Sequence, residues 1–165
     1  MCRMQRAQHL LLQRSCRTDR VMNNDSSWPN AIINLERFLD RVGLKCERRE
    51  EEASFGNKLL QYEGELAKVR AVSDRGVWFV EVADAQAQSN QWYDVAILRD
   101  LLIGQGEDVL PLQEQVDLLE RNWPAICSRF SPSEREYTST RLAILRQERA
   151  RRRLPGFFRS PPVVH

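Results

Sequence analysis

Most protein hydrolases move a proton through an imidazole held beside a serine, a cysteine or a metal ion. This chain has only two histidines, His9 and His165, one near each end. The central body therefore offers no Ser-His-Asp triad, no Cys-His pair and no histidine-based zinc site. Carboxylates are plentiful, and Glu63, Glu81, Asp84 and Asp94 fall near the ends of predicted strands. No spacing brings two of them together, so they read as solvated charges or helix caps rather than as an acid/base pair. Gly104-Gln105-Gly106 is a lone GxG that follows a helix, and no GxxxxGK[ST] run occurs. Turn chemistry accounts for it better than a phosphate cradle does. The expectation is a protein that is not an enzyme and needs no cofactor, with an unfamiliar hydrolase as the third reading.

Two constellations point to binding. Arg149, Arg151, Arg152 and Arg153 crowd the end of the last predicted helix and are candidate anion-binding residues. Cations at a helix C-terminus also offset its negative dipole end, so the same cluster is expected of an ordinary solvated helix end, where it adds little to stability. Trp92-Tyr93-Asp94 sets two aromatics at a loop-to-helix junction, a place where rings either close a core or line a groove. The other tryptophans, Trp28, Trp78 and Trp123, occupy core-facing positions.

The elements that position these groups follow from periodicity. Trp28, Ile32, Leu35, Leu39 and Val42 alternate steps of four and three, which predicts a helix with Ser26 or Ser27 as its cap and Gly43 at its end. Cys46 to Ser54, with Glu50-Glu51-Glu52, reads as a solvated connection whose first residues can extend as a strand. Lys58–Glu63, Leu66–Ser73 and Val77–Ala83 have strand character, separated by Gly64-Glu65 and by Asp74-Arg75-Gly76, both suited to tight hairpins. Asp94 caps a helix through Leu102 that ends at Gly104. Pro111 opens another, which Pro124 should kink or break near Glu120 to Trp123. Ser131-Pro132-Ser133-Glu134 starts the last helix, which runs to about Arg153. The predicted fold class is α+β: a three-stranded antiparallel meander with an N-terminal helix and three C-terminal helices. Ile32, Leu35, Leu39, Val69, Trp78, Val80, Val116, Leu119 and Trp123 form its expected core.

Length and charge bound the rest. The 165 residues suit a single domain over residues 26–153, between a basic flexible tail (residues 1–25) and a C-terminal tail (residues 154–165). Met22 lies just before the first helix as a second possible start. Residues 26–130 carry 12 Lys and Arg against 18 Asp and Glu, whereas residues 131–165 carry 8 against 3. An acidic body argues against a nucleic-acid footprint spread over the fold and leaves only the arginine-rich ends for it. Leu10-Leu11-Leu12 is too short for a signal peptide or a membrane span, so no membrane partner is expected. Cys2, Cys16, Cys46 and Cys127 form no CxxC motif, and a cytoplasmic location with reduced thiols follows.

Four stretches resemble small uncharacterised bacterial proteins of the immunity-protein type. They are Phe55-Gly56-Asn57, Asp74-Arg75-Gly76-Val77-Trp78-Phe79-Val80-Glu81-Val82, Trp92-Tyr93-Asp94 and Asn122-Trp123-Pro124-Ala125-Ile126. The resemblance spans Phe55 to Gly156. It implies a bacterial cytoplasmic protein whose motifs carry no catalytic residue.

The two-residue period of the strands separates the faces of the sheet. Ala67, Val69 and Ala71 share a face with Trp78, Val80 and Val82, leaving Lys68, Arg70, Val77, Phe79 and Glu81 on the other, joined by Gln61. Two of these outward residues are apolar where a face meeting only water would be polar. Either a helix or tail of the chain covers them, or Lys68, Arg70, Val77, Phe79 and Glu81 are the candidate partner-binding residues of a protein-binding module, of immunity or scaffolding type, with Phe79 as the anchor. The alternative is a nucleic-acid-associated protein acting through arginine-rich termini.

Overall fold

The computed structural model describes residues 28–51, 57–87, 91–107 and 109–153. Both tails lie outside the described residues, as do Ser26 and Ser27. The described chain is α+β: α1 (Asn30–Arg41), β1 (Lys45–Glu51), β2 (Lys58–Glu63), β3 (Ala67–Asp74), β4 (Val77–Asp84), β5 (Tyr93–Asp94), α2 (Val95–Leu102), α3 (Leu112–Arg129) and α4 (Arg135–Arg153). The strands form one antiparallel sheet in chain order, β1-β2-β3-β4-β5.

The sheet has five strands where the sequence pattern predicts three. The central three are those expected, and the additions flank them. β1 reads Lys-Cys-Glu-Arg-Arg-Glu-Glu and is almost wholly exposed, so it has no apolar face for alternation to reveal. Its charges suit an edge strand, because they discourage pairing with other chains. β5 is two residues long and pairs only Glu81 with Asp94 and Val82 with Tyr93.

Turn chemistry fixes the register of the hairpin between β3 and β4. Arg75 and Gly76 have φ of 50° and 82°, the positive pair that a two-residue turn matched to strand twist requires. That turn sets Val80 opposite Ala71 and Val82 opposite Val69. α1 ends as predicted: Gly43 takes φ 84°, its N–H bonds Asp40 O, and the Leu44 N–H reaches back to Leu39 O. At its start Pro29 precedes the first turn, and the expected Ser26 or Ser27 cap lies outside the described residues.

One face of the sheet is dry. Leu60, Tyr62, Val69, Ala71, Val80 and Val82 join Ile32, Leu35 and Leu39 of α1, Val116, Leu119 and Trp123 of α3, and Leu142 and Leu145 of α4 in a single core. Of the expected core residues, only Trp78 is half-buried; it meets Trp28 with ring centroids 5.4 Å apart. α3 runs unbroken through Pro124. The proline and Glu120, whose carbonyl its missing N–H leaves without a helix partner, both lie on the exposed side, open to water.

The edge of β4 beyond the short β5 is closed from above. Gln115 of α3 accepts a hydrogen bond from Val80 N at 2.8 Å through Oε1, and its Nε2 donates to Leu110 O at 2.8 Å and Trp78 O at 3.4 Å. A side-chain amide thus completes the ladder where no strand does.

Leu119 is fully buried on the α3 face that meets α1 and the sheet. Leu119→Ala should cost about 2–5 kcal/mol, read as a lower denaturant midpoint with an unchanged slope. An unmoved midpoint would remove Leu119 from the core.

Candidate functional site

The other face of the sheet carries the predicted binding residues, and the pairing lays them out in rows. Leu59, Val72 and Phe79 lie opposite one another on β2, β3 and β4, with Glu50 continuing the row on β1. Gln61, Arg70 and Glu81 form the next row. No core residue belongs to either row. Phe79 is 44% exposed and Val77, at the turn, 56%.

The charges of this face satisfy one another. Arg70 Nε lies 2.6 Å from Glu81 Oε2, and the Arg70 guanidinium stacks 4.3 Å from the centroid of Trp92. Lys68 Nζ is 2.9 Å from Glu63 Oε1. Trp92, the aromatic read as either core closure or groove lining, is half-buried and roofs the Arg70 end of the face. An open depression of about 410 Å³ lies over Leu59, Val72 and Phe79, between Glu50 and Glu81. The structure thus brings Lys68, Arg70, Phe79 and Glu81 together on one surface, with Val77 at its margin.

Sequence reasoning finds no paired carboxylates, yet the β1–β2 pairing supplies one pair. Glu47 and Glu63 share a hydrogen bond on the outer face. That bond raises the Glu47 pKa, with burial and the like charge of Glu63 adding to the effect, and lowers that of Glu63. Lys68 and Gln61 also attend the pair. No group of His, Cys, Asp and Glu suited to a metal ion occurs among the described residues.

The arginine cluster needs correction. All four were expected on a solvated helix end, but Arg149 is 3% exposed and its Nη1 lies 2.7 Å from Asp94 Oδ1. Asp94 also accepts the Ile97 N–H at 2.9 Å, so the predicted cap of α2 doubles as the anchor for α4. Arg152 Nη2 stands 3.5 Å from Oδ2 of the fully buried Asp100, whose Oδ1 takes two bonds from Arg99. These pairs bind α4 to α2, and Arg149 is withdrawn from the anion-binding set. Arg151 and Arg153 face solvent.

Gly104 and Gly106 have structural roles. Gly104 takes φ 108° where α2 ends, and a Cβ on Gly106 would come within 2.5 Å of the Arg99 guanidinium. Cys127 is half-buried against the core, and burial raises its thiol pKa, which suits an inert packing residue.

A second concavity, of about 310 Å³, was not anticipated from the sequence. It lies where the end of β4 and the start of β5 meet the α3–α4 junction, and its walls include Asp84, Tyr93, Phe130, Arg135, Glu136 and Leu142. The only sequence signal for it is Trp92-Tyr93-Asp94, whose tyrosine is one of those walls.

Comparison with family models, curated proteins and solved structures finds no match. No helix among the described residues is long and apolar enough to cross a membrane.

Because Arg149 is buried, its removal leaves a cavity between α4 and α2 and takes the guanidinium from Asp94, which keeps the Ile97 N–H. Arg149→Ala should cost about 2–4 kcal/mol, whereas Arg151→Ala on the same helix should stay within about 0.5 kcal/mol. Equal melting temperatures for the two variants would contradict the Arg149–Asp94 anchor.

Proposed function

We propose that this chain is a non-catalytic protein-binding module that meets its partner through the outer face of the sheet. The observation carrying this reading is Phe79, exposed beside Val72 and Leu59 and framed by charges already paired among themselves. Exposed aromatics at the centre of a patch are the side chains that most often dominate binding energy. Paired rim charges lose less on association than free ones, because their partners travel with them. An immunity or scaffolding role belongs to this proposal, as does the bacterial cytoplasm that the sequence resemblance implies. The nucleic-acid alternative now rests on a smaller cation set, with Arg149 committed to Asp94.

Phe79→Ala in the full-length protein tests the reading. Capture of the partner from the native host should weaken at least about tenfold, which is 1.4 kcal/mol. The melting temperature should fall by no more than about 3 °C. A loss of about 3–5 kcal/mol in stability would instead place Phe79 in a packed core and sink the site.

A further inference from the structure

The concavity at the α3–α4 junction is built differently from the sheet face. Its volume, about 310 Å³, sits at the lower end of the range of about 300–1,000 Å³ for small-molecule sites. That is room for one ring with a short chain. Tyr93, Phe130 and Leu142 are buried core residues that also wall the cavity, so its surface is rigid and largely apolar.

The charges in its wall are settled, with one exception. Asp84 Oδ2 lies 2.6 Å from Arg135 Nε, and Asp84 Oδ1 accepts the Gln86 N–H at 2.8 Å. The Arg135 Nε–H is not aimed at the carboxylate, so the contact with Asp84 is one of charge rather than a formed hydrogen bond. Arg135 also donates through Nη2 to Phe130 O at 3.3 Å. These two charges cancel within the wall. Glu134 nearby is held by Arg129 at 3.1 Å. Glu136 is exposed and has no ion-pair partner among the described residues. Arg146, which acts on the Tyr93 hydroxyl, lies ten residues further along α4. That is about 15 Å of helix rise from Glu136, so its backbone lies toward the Tyr93 side of the cavity and not beside the carboxylate.

An apolar cavity edged by one uncompensated carboxylate selects for an apolar body bearing a positive charge. We propose that this cavity is a binding site for small amphipathic amines, with the ring against Phe130, Tyr93 and Leu142 and the ammonium at Glu136. This site is separate from the sheet face, and either can fail without the other.

The probe is 2-phenylethylammonium, with 3-phenylpropionate as a control of the same size and opposite charge, each titrated into the full chain and followed by amide chemical shifts. The amine should shift Tyr93, Leu142 and Ser139, which also lines the cavity, saturably and bind at least about fivefold more tightly than the carboxylate. Glu136→Gln, an exposed change that leaves the fold intact, should abolish that preference. The proposal is overturned if the amine shows no saturable shift up to about 20 mM, if the carboxylate binds as well, or if Glu136→Gln keeps the preference.

Discussion

The structure depends on a sheet that can be dry on one side only. Along β3 and β4 the inward face carries Ala67, Val69, Ala71, Val80 and Val82, all buried, with the half-buried Trp78, while the outward set mixes Lys68, Arg70 and Glu81 with Val72, Val77 and Phe79. A sheet so patterned is stable when helices cover the apolar face, and a one-residue slip in register would exchange the two sets. The core accordingly draws in residues of α1, α3 and α4 and takes none from the Leu59–Val72–Phe79 row. The candidate site is the complement of the core: the same alternation that specifies burial leaves Phe79 in water.

Holding helices on one side requires ties at the margins of the sheet, and two polar residues supply them. Asp94 ends the sheet as part of β5, caps α2 through the Ile97 N–H and receives Arg149 from α4. Three elements meet at one carboxylate. Gln115 is the counterpart on the β4 edge, serving Val80 N and Trp78 O from α3. Without it the ladder of β4 beyond the two residues of β5 would present buried, unpaired backbone groups.

What could be read from the sequence was the part governed by local pattern. Helix periodicity, Gly43 and Gly104 as helix ends, Asp94 as a cap and the Arg75-Gly76 turn all depend on neighbours within a few residues, and the structure places each as expected. β1 was legible only in part, as first residues able to extend as a strand, because an edge strand with almost every residue exposed has no hydrophobic period. β5 escaped because two residues cannot show one. Arg149 was misjudged for a different reason. An arginine near a helix end looks solvated by local rules, and its partner lies 55 residues earlier. The cavity at the α3–α4 junction likewise joins Asp84, Tyr93, Phe130 and Leu142, which only the tertiary fold makes neighbours. On the outer face, the charges and the apolar pair of Val77 and Phe79 were legible from alternation alone, whereas the Trp92 roof over Arg70 and the Glu47–Glu63 pair were not.

The central claim, that the Phe79 face is open in the whole protein, is tested most directly by side-chain NMR of the full-length chain with a soluble paramagnetic agent. Val72, Val77 and Phe79 should relax strongly in proportion to the agent, while Val69, Val80 and Val82, on alternate positions of the same two strands, should be protected. Protection of Phe79 to the level of Val80 would show that the face is covered and would contradict the account.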